Sequence, residues 1–307
     1  MSVSSTPHLD VMRPFQLEKS QLRGRLVRLG GAVDAVLKAH AYPRPVSDML
    51  GELLVLAGGL AGGLKFDGRF SLQVRGEGVV RLMVADVTND GQMRGYASFD
   101  AESFAGPGDE PAGFGDLVGS GLMALTVDQA AAGGETYQGI VQLDGRSLLD
   151  SMLPYVHQSE QVPTGIRSVV AYDEAAAQWR AAAVIVQAMP EEGALAERDR
   201  EEDWRRAMVL LQTASDTELL DPELAPDTLL YRLFHEDGVR VFAPLDLAFG
   251  CSCDDGRVGR MLRRFDRDEV LEMRDPSGAV VVTCEFCSRV YRLNDADIFT
   301  LFEDSLH

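Results

Sequence analysis

Every cysteine of this 307-residue chain lies in its last 57 residues: Cys251 and Cys253, then, after 30 intervening residues, Cys284 and Cys287. The first 250 residues hold none. That distribution excludes a chain-wide disulfide framework and points to a local device. Two tight pairs, C-x-C and C-x-x-C, bring four sulfurs from two turns, and four thiolates complete a closed tetrahedral site for Zn2+. The unit around them, from about residue 244, is small. Below ~70–80 residues an apolar core leaves little margin, and a metal usually supplies the remainder. Zinc-bound sulfurs are held as thiolates, the form that oxidants attack. Four cysteines allow three disulfide connectivities, and spacing alone selects none. Chemistry leaves both an inert structural site and a redox switch open.

Charge narrows the partners. Asp and Glu number 48 against 29 Lys and Arg, for a net −19, and the excess sits in the last two thirds. A strongly acidic surface repels phosphate backbones, so nucleic acid is not the expected partner. The one competing pattern is Arg257, Arg260, Arg263, Arg264 and Arg267 between the cysteine pairs. It makes a zinc-ribbon nucleic-acid-binding protein the alternative reading. These arginines alternate with acids, however, as a solvated helix face does. The longest apolar stretch, Leu53 to Leu64, is too short to span a bilayer and reads as a buried helix. Its Gly58/Gly62 and Gly59/Gly63 pairs permit close packing. No signal peptide is visible, so a cytoplasmic protein with reduced thiols is expected.

The pattern along the chain predicts an α+β fold with largely antiparallel sheet. A tail over 1–14 precedes Leu22–Leu29 (LRGRLVRL), whose alternation predicts a half-buried strand. Helical patterns follow over 32–39 and, after the breaker YPRPV, to about Leu64. FSLQV, VVRLMVADV and QMRGYASF are strand-like, residues 105–116 loop-like, and ETYQGIVQL is a strand closed by Asp144-Gly145. A helix from Ser147 to about His157 and the strands RSVVAY and WRAAAVIVQAM complete a core over 15–190. From 191 to 243 the chain turns to short amphipathic helices. ERDREEDWRR (197–206) is charged everywhere but Trp204, a usual solvated face, and Asp227 can cap the last helix ahead of Leu229, Leu230, Leu233 and Phe234. Such helices need something to pack against. Residues 244–307 then form the zinc unit.

Nothing here reads as an enzyme. There is no GxSxG elbow and no phosphate-binding loop; Gly113, Gly115 and Gly119 form only a near miss in a loop, and His8, His40, His157, His235 and His307 are scattered.

The cysteine pattern does not stand alone. YPRPVSDMLGELL (42–54), LKFDG (64–68), QMRGYA (92–97), ETYQGIVQLDG (135–145), SEQVPT (159–164), VQAMP (186–190) and LLYRLFHEDGVRVF (229–242) accompany it in order. With these segments the chain resembles, over nearly its full length, the redox-regulated holdase family known as the 33-kDa heat-shock protein. It departs from that family at Ser288, where many relatives carry glycine. The resemblance implies an ATP-independent chaperone, inactive when Cys251, Cys253, Cys284 and Cys287 hold zinc. It further implies that oxidation forms Cys251–Cys253 and Cys284–Cys287, ejects the metal and produces an active homodimer that binds unfolded client proteins. The 15–190 core would then carry client binding and dimerisation, and 191–243 the coupling.

Overall fold

The computed structural model describes residues 9–104, 113–130, 133–143, 146–189 and 197–303. The chain divides into two units, Met1–Phe249 and Gly250–His307.

The first unit opens with β1 (Val11–Leu17), β2 (Leu22–Leu29), α1 (Gly31–Lys38) and α2 (Arg44–Ala61). A meander follows: β3 (Arg69–Gly76), β4 (Val80–Thr88) and β5 (Gln92–Phe99). Next come α3 (Phe114–Val118), β6 (Gly121–Asp128), β7 (Tyr137–Gln142) and α4 (Leu148–Glu160), then β8 (Thr164–Asp173) and β9 (Gln178–Ala188). The last part holds α5 (Glu197–Thr213), α6 (Asp216–Leu220) and α7 (Pro226–Phe234), and the short strands β10 (Val239–Val241), β11 (Leu245–Asp246) and β12 (Ala248–Phe249). One sheet has the order β10-β1-β2-β9-β8, with β11 also on β1; the other runs β12-β5-β4-β3-β6-β7. Every pairing is antiparallel except β12 with β5. The α+β expectation is met.

Helix α2 lies in the core between the two sheets, packing with Val27 and Ile185 of one and Leu72 and Met83 of the other. A helix surrounded by protein can be apolar all round, which explains the LLVLAGGL run. Among the described residues no helix is long and apolar enough to cross a membrane. Gly59 permits a close approach, because a Cβ there would meet the end of the Ile185 side chain. The helix ends at Ala61 rather than Leu64, so Gly62 caps it and Gly63 lies beyond it.

Strand β2 departs from its expectation. The alternation of LRGRLVRL predicts one solvated face, yet the strand is buried along nearly its whole length. Val27 and Leu29 face α2, while Leu22 and Leu26 face a second core built with the 191–243 segment. Arg25 and Arg28 are buried because each finds polar partners, Arg25 at Gln187 and Arg28 at backbone carbonyls. Strand β9 shows the same two-sidedness in apolar residues, with Ala181, Ala183 and Ile185 to one core and Ala182, Val184 and Val186 to the other.

Three further boundaries move. Val11–Pro14, expected in a tail, belong to β1; Pro14, which has no N–H to donate, falls where the outer partner of β1 changes from β10 to β11. Strand β6 had no predicted counterpart. The segment expected to open the zinc unit at 244 contributes β11 and β12 to the first unit, which ends at Phe249. Of the expected loop over 105–116, residues 105–112 lie outside the described residues, as do the Asp144-Gly145 turn and residues 190–196, while Phe114–Asp116 open α3 instead.

The 197–234 helices cover the outer face of the first sheet. Ala207 and Leu211 of α5, Leu219 of α6 and Leu229, Leu230, Leu233 and Phe234 of α7 are buried there, and Phe234 stacks on Phe15 with ring centroids 5.9 Å apart. Asp227 is not the cap: Ala225 takes that position with Pro226 in the first turn, and Asp227 pairs with Arg13 at 2.9 Å. Glu201, Glu202 and Arg205 of the charge run face solvent, whereas Arg206 reaches the buried Asp237, which also accepts from Ser20.

Candidate metal centre

The second unit is built around two ligand turns. Cys251 and Cys253 precede α8 (Asp255–Leu262), whose N-cap Asp254 accepts from the Arg257 N–H at 2.6 Å. An α9 helix (Arg267–Glu272) with an Asp266/Glu269 capping box follows. The hairpin β13 (Val280–Thr283) and β14 (Val290–Leu293) then carries Cys284 and Cys287 in its connection, and α10 (Asp295–Glu303) closes the unit. The apolar core is thin, with Val258, Leu262, Val270, Val280, Tyr291 and Ile298 its buried members.

This framework brings the four sulfurs together. All lie within 4.8 Å of one another, with Cys251 Sγ 3.7 Å from Cys284 Sγ and Cys253 Sγ 3.3 Å from Cys287 Sγ. A tetrahedron with metal–sulfur bonds of about 2.3 Å has edges of about 3.8 Å, so the donor set fits Zn2+ in spacing as in chemistry. Each pair thus contributes a sulfur close to one from the other pair.

Ionisation also fits a cation. Burial pushes the Cys251 thiol up and Cys287 up to about 12. At Cys253 burial opposes ionisation as well, but the Tyr291 hydroxyl and the neighbouring thiols outweigh it and bring the group down to about 7. A divalent ion would supply the charge that lets all four ionise. Tyr291, which escaped the sequence reading, is buried and sets its hydroxyl beside Cys253.

The turn after the fourth cysteine shows what the departure at Ser288 costs. Its φ is 55°, in the left-handed region that favours glycine, and its N–H donates to the Cys284 carbonyl at 2.8 Å. A Cβ in that region costs roughly 1–2 kcal/mol. Ser288→Gly is therefore expected to stabilise the unit by about 1 kcal/mol, read as a higher denaturant midpoint for residues 250–307 with an unchanged metal stoichiometry.

The five arginines between the cysteine pairs are exposed, and Arg257 donates to the Ser252 hydroxyl at 2.7 Å. The buried side of α8 is Val258, Gly259 and Leu262. They form the solvated face expected of them.

Comparison with known proteins gives a concordant picture. A family model described as Hsp33 protein matches residues 10–294. The 33 kDa chaperonin of Caulobacter vibrioides is 39% identical over 289 residues, covering 93% of this chain and 95% of that one. That of Azotobacter vinelandii is 38% identical over 296 residues, with 95% and 94% covered. Among solved structures, the 33 kDa chaperonin (heat shock protein 33 homolog) of Thermotoga maritima superposes with a TM-score of 0.79 over 97% of this chain and 99% of that one, at 20% identity.

Proposed function

Because the chain belongs to the Hsp33 family, whose members are named as chaperonins, it is a chaperone and not an enzyme, and we propose that it is a redox-regulated, ATP-independent holdase. In the reduced form Cys251, Cys253, Cys284 and Cys287 hold one Zn2+ and the protein is inactive. The observation that carries this reading is the convergence of four thiols on one point in a unit with few other core residues.

On oxidation the pairs Cys251–Cys253 and Cys284–Cys287 each give two electrons to a peroxide. One S–S bond forms per pair, the peroxide O–O bond breaks, and its two oxygens take up two protons from solvent and leave as water. The sulfurs then cease to be thiolate donors, the ion is released, and the unit loses its main source of stability.

The coupling runs along the chain. Gly250 follows β12 directly, and β10, β11 and β12 tie the end of the 191–243 segment to both sheets. Loss of order from residue 250 removes support from these two- and three-residue strands and then from α5–α7. Their departure uncovers Phe15, Leu17, Leu22, Leu26, Val184 and Val186, an apolar sheet face suited to unfolded clients. Active chains pair as homodimers in the cytoplasm.

The test follows light scattering of an unfolding client beside reduced and peroxide-treated protein, with zinc release recorded on the same samples. Suppression by the oxidised form alone, in step with zinc release, is expected. Equal suppression by the reduced form would falsify the switch.

A further inference from the structure

The covered sheet face is apolar except toward the end of β2. Arg28, the next-to-last residue of β2, is 0% exposed and lies between Val11 of β1 and Ala182 of β9 in the sheet register. Its guanidinium points into the 191–243 segment and is met there by backbone alone. One terminal nitrogen donates to the Glu218 carbonyl at 2.7 Å; the other donates to the Asp221 carbonyl at 3.1 Å and to the Leu224 carbonyl. Its Nε is buried without a partner.

These carbonyls belong to the end of α6 and the connection to α7, where helical hydrogen bonding runs out and acceptors are left over. The residue after α6, Asp221, is extended, and no left-handed cap satisfies those acceptors locally. Arg28 takes the place of a cap. It binds three acceptors spread over seven residues of the connection (218–224) from a strand nearly 200 residues earlier, so the connection cannot leave the sheet without breaking all three bonds at once.

We infer that Arg28 is a latch: a buried cation that fastens residues 216–224 to the first sheet and sets how readily the covering helices come away. The latch holds and strains together. While closed it gives each leftover carbonyl a charged donor, the stronger class of hydrogen bond. It also keeps a guanidinium out of water with dipoles, and no bonded carboxylate, in compensation, which is a costly environment for a charge. Opening returns that cation to solvent, so the closed state is held by geometry with a limited margin. Burial accordingly brings the Arg28 pKa down to about 10, against the opposing pull of the Asp221 carboxylate.

The experiment uses the full-length, reduced, zinc-loaded protein and compares wild type with Arg28→Met and Arg28→Lys. Methionine fills the space and leaves three carbonyls unpaired; lysine keeps the charge but cannot span three acceptors. Amide hydrogen exchange should rise at least about tenfold over 216–230 in Arg28→Met and less in Arg28→Lys, with β2, β9 and residues 250–303 protected as in wild type. Unchanged protection over 216–230 in folded Arg28→Met overturns the latch. If Arg28→Met loses structure throughout, Arg28→Lys decides: faster local exchange supports the latch, and wild-type exchange makes Arg28 an ordinary core residue. That release of these helices activates a chaperone rests on the holdase reading. Faster exchange without suppression of client aggregation, at unchanged zinc content, would therefore count against that reading and leave the latch standing.

Discussion

Removing one sulfur by Cys284→Ser, or stripping the metal from the reduced protein with a chelator, should melt residues 250–307 and leave β1–β9 folded. Six buried core side chains in this unit give a core too small to stand alone. A structural zinc contributes ~10–16 kcal/mol to a site of this kind, several times what such a core offers. Loss of one ligand also leaves three partly buried sulfurs without the charge that allowed them to ionise, and burial already resists ionisation at Cys251 and Cys287. The measurement is exchange protection of α8–α10 beside zinc release to an indicator dye. Protection should vanish there as zinc leaves, and Cys284→Ser should suppress client aggregation in part without oxidant. Stripped protein that kept α8–α10 protected would show that the apolar core suffices, and the thiol site would lose its role as the unit's keystone.

The second large effect concerns the covering helices. Phe234→Ala removes a fully buried ring that stacks on Phe15 at the end of the α7 stripe. Such a truncation costs ~3–5 kcal/mol. The loss falls mainly on α5–α7, because the first sheet keeps its other face packed against α1 and α2. Reduced Phe234→Ala should therefore hold an unfolding client in solution while all four thiols remain titratable and zinc remains bound. This would separate two steps that the proposed switch performs together. A reduced variant as silent as wild type, with 226–234 exchanging freely, would mean that uncovering the sheet face is not what activates the protein.

The two expectations divide as the chain does. Cys284→Ser acts through the metal site and Phe234→Ala bypasses it. A double variant should be no more active than Phe234→Ala if the covering helices are the common last step. Additive gains would require a second client surface within residues 250–307.

Where the sequence reading succeeded, a short-range physical rule was enough. The cysteine spacing gave the four-thiol cluster, because two tight pairs of one residue type seldom arise except to converge. The α7 stripe of Leu229, Leu230, Leu233 and Phe234 was legible from its period, and Gly238 behind it takes the left-handed φ expected past a helix end. The errors share one cause. An alternating pattern identifies a strand but does not say whether its polar face meets water or protein. In β2 it meets protein, and the arginines that looked solvated are buried among carbonyls and an amide. Strand β1 was missed for a related reason: Pro14 argues against a central strand, and only the exchange of β10 for β11 along its edge makes room for it.

By itself, then, the sequence determined the α+β class, the helices of the 191–243 segment and the four sulfurs, since each rests on periodicity, composition or ligand chemistry within a short stretch of chain, and it disclosed the family through segments that resemble its members along nearly the whole length. Tertiary structure decided what those parts do to one another. It placed the charged helices on the outer face of the first sheet, carried the chain from 239 to 249 back into both sheets, moved the unit boundary to Gly250, and seated Arg28 beneath residues 218–224. Contacts between residues some 190 positions apart leave no local signature, because either partner alone satisfies the ordinary pattern of a strand or a turn.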